Sequence, residues 1–246
     1  MRMIRRLALA VMATALAAPA IAKGELVLVA GATGQMGMPT VAQLREQGYR
    51  VRAMVRDASK GAGLGDETVV ADVTKPETLP AALKGVDYVI STLATGHGGQ
   101  TPEQLEFHGV ANLANAAKAA GVKQFVLVSS MNAGSTDMTQ FLNAKLDKLL
   151  IWKGEGEKAL RATGMPYTIV RPGGLERKPC EHGKVGLKIA PDDGVATSPV
   201  CRADVAMVLI YALGNKDMLS KTFQVQSDPA AKPDAWRGLF AGLKKD

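Results

Sequence analysis

The run VLVAGATGQMGMPTV, Val27 to Val41, constrains this chain more than any other stretch. An apolar segment leads into Gly31, Gly34 and Gly37, spaced G-x-x-G-x-x-G, and a helix-forming segment follows. Bare backbone at a strand-to-helix junction lets a pyrophosphate approach amide N–H groups and the positive end of the helix. A plain tight turn would need fewer glycines. Three of them after a strand, opening a helix and starting a βαβ unit, supply the context that gives the pattern meaning.

The rest of the chain repeats that alternation. Strands are expected at Gly24–Gly31, Arg50–Val55, Glu67–Ala71, Val86–Ser91, Gln124–Ser130 and Pro166–Gly174. Helices are expected between them, at Pro39–Gln47, Pro76–Lys84, Pro102–Ala120 and about Phe141–Ala162. The third of these carries Leu105, Val110, Leu113 and Ala117 along one face and stops at Gly121. Beyond residue 175 a hairpin strand at Lys184–Ala190, a helix at Arg202–Leu213 and a strand at Thr222–Gln226 complete the pattern. Continuous apolar strands separated by helices imply a parallel sheet covered on both faces. The expected fold class is therefore α/β, a three-layer, doubly wound parallel sheet of Rossmann-like type in a single domain over residues 23–246. Its ligands would bind at the carboxyl ends of the strands, where strand order reverses.

Composition narrows the partners. With 246 residues, 47% of them hydrophobic, the chain can bury a large core. Aromatic residues are 4%, too few for a base-stacking platform. The formal charge is +7. The N-terminus, MRMIRRLALAVMATALAAPAIAKGE, has a basic start, an apolar stretch and Ala20-Ile21-Ala22 in A-x-A form. It is expected to be a signal peptide over residues 1–22, with no stable membrane span left after its removal. That removal takes away three arginines and leaves +4, with no basic block, so nucleic acid is not expected as a partner. Localisation is then outside the cytoplasm, in a bacterial periplasm. Arg5-Arg6 also suits the twin-arginine route for folded proteins, although its flanking residues match poorly. An uncleaved anchor and an organelle presequence are the alternatives. Cys180 and Cys201 are the two cysteines, and spacing alone leaves a disulfide and two thiols equally open. His97, His108 and His182 are scattered, and no metal site is expected.

The end of the second strand speaks to which nucleotide binds. An NAD site would place an acid there for the ribose hydroxyls. Here the strand ends Met54-Val55-Arg56, and a guanidinium suits a 2′-phosphate. Asp57 follows and keeps NAD open, so the expectation is NADP, with NAD possible.

With these blocks in place, the chain resembles the atypical short-chain dehydrogenase/reductases that carry an NAD(P)H-binding, NmrA-like domain. GATGQMG, VRAMVRD, ADVTKPETL, the block Gly109 to Gly134, ATGMPYTIVRPGGL and CRADVA occur in the family's order across residues 25–226. The resemblance implies cofactor contacts from Gly31, Thr33, Gly34, Gln35, Met36 and Gly37. It implies the same for Arg56, for Asp72 and Val73 beside the adenine, for Thr92, Leu93 and Ala94 after the fourth strand, and for Lys153 and Pro172.

Fully active members of that family use a serine after the fifth strand and Tyr-x-x-x-Lys on the next helix. Ser130 fits the serine, with Ser129 beside it, and Lys153 fits the lysine, 13 residues before Pro166. The tyrosine place holds Leu149, which can neither give nor take a proton. Three chemistries stay open. Lys153 could act alone, since a desolvated lysine suits acid–base work. Tyr167 or His97 could replace the tyrosine. The site could also only sense cofactor, with Lys153 a plain surface charge. An epimerase would need the missing tyrosine. Gly154 and Gly156, inside the same helix, cost about 0.5–1 kcal/mol each relative to alanine. They mark either close approach of a ligand or a frayed turn.

Leu175 to Val200 is where this fold class covers its substrate. Arg177, Lys178, Cys180, His182 and Lys184 make that segment cationic, which suits an anionic or carbonyl-rich small molecule or simply a solvated loop. The expected function is reduction of a small carbonyl, enone or quinone-type substrate. The rival is a non-catalytic NADP(H)-binding sensor or partner-binding protein. Export sits awkwardly beside a cytoplasmic nucleotide unless the protein crosses the membrane folded and loaded.

Overall fold

The computed structural model describes residues 24–95, 99–135, 148–176, 178–191 and 198–246. The expected signal peptide, His97, Arg177 and the stretch 141–147 of the expected fourth helix lie outside the described residues.

The expected alternation becomes one eight-stranded sheet. Its strands are β1 (Leu26–Ala30), β2 (Arg50–Val55), β3 (Glu67–Val70), β4 (Tyr88–Ser91), β5 (Gln124–Val128), β6 (Tyr167–Pro172), β7 (Gly186–Ala190) and β8 (Lys221–Asp228). The order is β3-β2-β1-β4-β5-β6-β8-β7. All neighbours are parallel except β7, which runs antiparallel to β8. The order reverses between β1 and β4, so a ligand crevice is expected at the carboxyl ends of those two strands.

Alternation along each strand sorts the core into two layers. Val27 and Val29 of β1 join the layer under α1 (Gly37–Glu46) and α5 (Arg202–Tyr211). Leu26, Leu28 and Ala30 join the layer under α2 (Leu79–Leu83), α3 (Val110–Ala119) and α4 (Leu149–Ala162). All five β1 residues are buried, as a central strand covered on both faces requires. β3, at the sheet edge, is only partly covered. It is pinned by Arg52, which gives two N–H bonds to Glu67 of β3 and two more to the carbonyls of Ala82 and Lys84.

Several boundaries differ from expectation. Pro76–Lys84 is a 3₁₀ turn at Pro76–Thr78 followed by the short α2. Pro102–Ala120 is a π-helix over Glu103–Gly109 that continues as α3. Thr101 and Gln104 open it with a reciprocal cap, each side chain bonding the other's backbone N–H at 3.2 and 3.0 Å. The late strand is longer than expected, because β8 pairs with both β6 and β7. None of the described helices is long and apolar enough to cross a membrane.

Candidate active site

The glycine turn closes tightly on its own backbone. Gly31 has φ +81°, and a Cβ there would stand 2.8 Å from the Thr92 carbonyl oxygen. A Cβ on Gly37 would stand 2.1 Å from the Gly31 oxygen. Thr92, buried at the end of β4, ties the two strands together: its N–H and hydroxyl both donate to Ala30 O at 2.9 Å. Thr33, Gly34 and Gln35 are left exposed at the mouth of the crevice, while Met36 is buried beneath them. The turn opens the ten-residue α1, whose first N–H groups have no intrahelical partner. A backbone too crowded for any Cβ, exposed at a helix start, fits a dinucleotide pyrophosphate.

Around this cradle the other expected residues fall at strand ends. Arg56, just past β2, is exposed and donates to the Gln100 side-chain oxygen. Asp57 accepts from Ser59 N–H and Oγ–H at 3.0 and 2.7 Å and caps a 3₁₀ turn. Those two bonds hold its carboxyl below the usual range. Asp72 accepts from Thr74 N–H and Oγ–H at 2.9 and 2.8 Å, closing the loop after β3 on itself. Val73 is buried against Gly109, and its carbonyl accepts from Asn112. Leu93 is half-buried and Ala94 exposed. Pro172 is buried at the end of β6.

Lys153 is not a surface charge. Its side chain is 11% exposed, and Nζ donates to Glu106 Oε2 at 2.7 Å. Glu106 lies on the π-helix and is 3% exposed. Its other oxygen accepts from Thr95 N–H at 2.8 Å and Thr95 Oγ–H at 3.1 Å. The sequence pointed to Lys153 and missed Glu106, because a glutamate between apolar helix positions looks like a solvated face.

Gly154 and Gly156 do not mark a frayed turn, which corrects that expectation; the close approach they permit in this structure is to the chain's own backbone. Both lie inside α4, where a Cβ on Gly154 would stand 2.5 Å from Gly134 Cα and one on Gly156 would stand 1.9 Å from Glu106 O. They let α4 settle onto the loop after β5 and onto the π-helix. Gly134 N–H donates to Leu150 O at 2.8 Å along the same seam.

Tyr167 also differs from one expected role. It opens β6 at the amino end, opposite the crevice, and its hydroxyl donates to Asp246 at 3.0 Å. It cannot stand in for the missing tyrosine. Leu149 is half-buried at the start of α4, whose N-cap Lys148 has φ 59°.

Beyond β5 the ladder to β6 continues, Ser129 N–H donating to Val170 O at 2.8 Å and Met131 N–H to Pro172 O at 3.1 Å. Phe125 and Leu127 face the α3–α4 layer, and Ser129 follows them by alternation. Its hydroxyl and that of Ser91 are buried with no hydrogen-bond partner among the described residues. Ser130, the expected serine, is half-buried at the lip, its carbonyl accepting from Ala133 N–H at 3.2 Å. In the same layer Arg171 gives a forked pair of bonds to Glu157 of α4, at 2.8 and 2.6 Å. Glu157 is fully buried and also takes Arg161 at 3.3 Å. Neither Glu157 nor Arg171 was singled out by the sequence.

The segment expected to cover the substrate is tied to the start of α5. Cys180 and Cys201 form a disulfide with Cα atoms 5.9 Å apart. Arg202 donates to Glu176 O, and Asp204 accepts from Gly183 N–H at 2.6 Å. Burial raises the Asp204 carboxyl above its ordinary value, against the lowering effects of the Gly183 N–H and His182. Lys184 pairs with Glu181 at 3.1 Å, so acids of the same segment balance part of its cationic face. No group of metal-ligating side chains occurs among the described residues.

A parallel sheet in 3-2-1-4-5-6 order with a crowded glycine turn at its switch point defines a nicotinamide-nucleotide-binding fold of Rossmann type. The chain belongs to the NAD(P)H-binding family, whose model matches residues 31–216, and is of the atypical short-chain dehydrogenase/reductase kind. It is 33% identical to sanguinarine reductase of Eschscholzia californica, over 87% of this chain and 93% of that one. It is also 33% identical to an uncharacterized sugar epimerase of Bacillus subtilis, over 87% and 99%. Among solved structures, an oxidoreductase of Lactococcus lactis shares the fold with a TM-score of 0.75 at 22% identity, covering 90% of this chain and 99% of that one.

Proposed function

We propose that the chain is an NADPH-dependent reductase of a small carbonyl, enone or quinone-type substrate. The observation that carries this reading is the Lys153 ammonium, 11% exposed and paired with Glu106, which also binds Thr95 in the loop after β4. Bound nicotinamide would supply the hydride. Lys153 would hold a ribose hydroxyl and give a proton to the acceptor oxygen, and Ser130 would orient that oxygen. Similarity to sanguinarine reductase agrees with reduction, and against epimerisation stands Leu149, at the place of the tyrosine that an epimerase would need.

Two facts favour NADP over NAD. The Arg56 guanidinium is exposed at the end of β2, and the carboxylate that would serve NAD is already used by Ser59. Export remains part of the proposal: residues 1–22 have signal-peptide form, and the Cys180–Cys201 disulfide suits an oxidising compartment.

Fluorescence titration of residues 23–246 with NADPH and NADH tests the cofactor. Arg56→Ala should weaken NADPH about tenfold, about 1.4 kcal/mol, and leave NADH nearly unchanged. A panel of carbonyl, enone and quinone acceptors then tests the chemistry. Turnover lost in Lys153→Ala and kept in Lys158→Ala, on the exposed face of the same helix, supports the reductase. Leu149 favours a second reading, a non-catalytic NADP(H) sensor. Tight NADPH binding with no turnover of any acceptor would establish that one instead.

A further inference from the structure

We infer that Glu106 is the positioning residue for Lys153, fixing its ammonium to the loop that follows β4 and so to the cofactor crevice. This rests on the proposed role of Lys153 and adds the group through which that role is controlled.

The geometry is specific on both sides of the carboxylate. Oε2 takes Lys153 of α4, and Oε1 takes both donors of Thr95, one residue past the Thr92–Ala94 segment expected to line the cofactor. Glu106 thus bridges two elements that carry the site and are 58 residues apart in sequence, Thr95 and Lys153. A buried carboxylate is tolerated only when paired and hydrogen-bonded, and this one has three donors. An ammonium has three N–H groups, so pairing with Glu106 leaves two for a ribose hydroxyl and an acceptor oxygen.

The backbone is shaped for this contact. The π-helix makes a wider turn than an α-helix, a distortion that recurs at functional sites. Gly156 lets α4 approach the Glu106 carbonyl more closely than any side chain would permit. Gly156 therefore seats α4, and with it Lys153, against the element that carries its partner. The arrangement also explains how the site can do without a tyrosine at position 149. The lysine that would stand beside a tyrosine is instead paired with a carboxylate.

A double-mutant cycle distinguishes positioning from plain structural support. Wild type, Glu106→Gln, Lys153→Met and the double variant are compared for kcat, KM and NADPH Kd. Positioning predicts that Glu106→Gln lowers kcat about 10–100-fold with a much smaller change in KM, and has no further effect once Lys153 is gone. The same coupling should appear in NADPH affinity, each single variant and the double weakened alike, about five- to tenfold. Equal, additive losses in both lysine backgrounds would overturn the inference, since a structural defect acts whether or not Lys153 is present. Glu106→Asp, which keeps the charge and loses the reach, serves in the same cycle if Glu106→Gln does not fold. Because NADPH affinity needs no turnover, the two claims fail separately. Coupled binding without turnover sinks the reductase and keeps the Glu106–Lys153 link, while uncoupled binding with turnover does the reverse.

Discussion

The two sides of the sheet build their functional surfaces from different materials. On the β1–β4 side the cradle is backbone: Gly31 and Gly37 leave no room for a Cβ, and Thr92 locks the turn with bonds to main-chain carbonyls. On the β5–β8 side the surface rests on buried charge and a covalent staple: Lys153, Glu157 and Arg171 lie beneath or within α4, and Cys180 is tied to Cys201. A backbone cradle is written in one short stretch of sequence and tolerates almost no change. A charge layer is assembled from distant residues, so no single stretch of sequence discloses it.

That contrast is most sharply broken by a methyl group. Gly37→Ala places a Cβ among fixed backbone atoms, 2.1 Å from Gly31 O and 2.7 Å from Ala32 Cα, with no flexible side chain to give way. NADPH affinity should fall at least about 100-fold, more than 2.7 kcal/mol. Gly238→Ala, where a Cβ would meet nothing within 4 Å, should change neither binding nor stability. Retained affinity in Gly37→Ala would mean that the turn does not hold the nucleotide.

The charge layer should fail differently, through stability before affinity. Arg171→Met removes the forked partner of Glu157 and leaves that carboxylate buried with Arg161 at 3.3 Å. Breaking such a pair costs about 3–5 kcal/mol, and urea unfolding should read it as a lower midpoint at unchanged slope. Adding Glu157→Leu should recover part of the loss, because the stranded charge is then gone. NADPH affinity should move only a few-fold.

The same contrast decides what the sequence discloses. The parallel sheet was legible because central strands such as Leu26–Ala30 are uninterrupted apolar runs. The crevice was legible because GATGQMG sets its whole geometry within seven residues. Lys153 was legible only by alignment of blocks, and Glu106, 47 positions away in sequence, was not legible at all. Periodicity cannot say that a helical glutamate turns inward until the π-helix and Gly156 of α4 bring its partner to it. The Arg171–Glu157 pair is hidden for the same reason, an arginine at the end of an apolar strand finding an acid on a neighbouring helix. The disulfide stayed open because no spacing rule fixes the distance between Cys180 and Cys201.

Removing that staple tests whether the covering segment belongs to the second half alone. Cys180 and Cys201 are 21 positions apart, and a loop of that size is worth about 3 kcal/mol in the chain-entropy account. The variant Cys180→Ser/Cys201→Ser should unfold at lower denaturant by about that amount, and reduced wild type should match it. NADPH binding should persist in both. Loss of NADPH binding on reduction would show that the covering segment also holds the cofactor.

The smallest effect asks whether buried charge on this side stabilises or is merely tolerated. Burial raises the Asp204 carboxyl despite the Gly183 N–H and the nearby His182. The unfolded chain releases this proton near pH 4, whereas the native chain holds it to higher pH. Between those two values the native state binds more protons, so stability falls as pH rises through the window and stays lower above it. Asparagine has no proton to lose, and its side-chain oxygen can still accept from Gly183. Thermal unfolding from pH 4 to pH 7.5 should therefore show Asp204→Asn gaining on wild type as pH rises, then levelling off, by less than about 1 kcal/mol in all. If wild type instead gains on the variant toward neutral pH, the Gly183 N–H and the start of α5 stabilise the carboxylate more than burial penalises it. Charge on the β5–β8 side would then be a source of stability at that position.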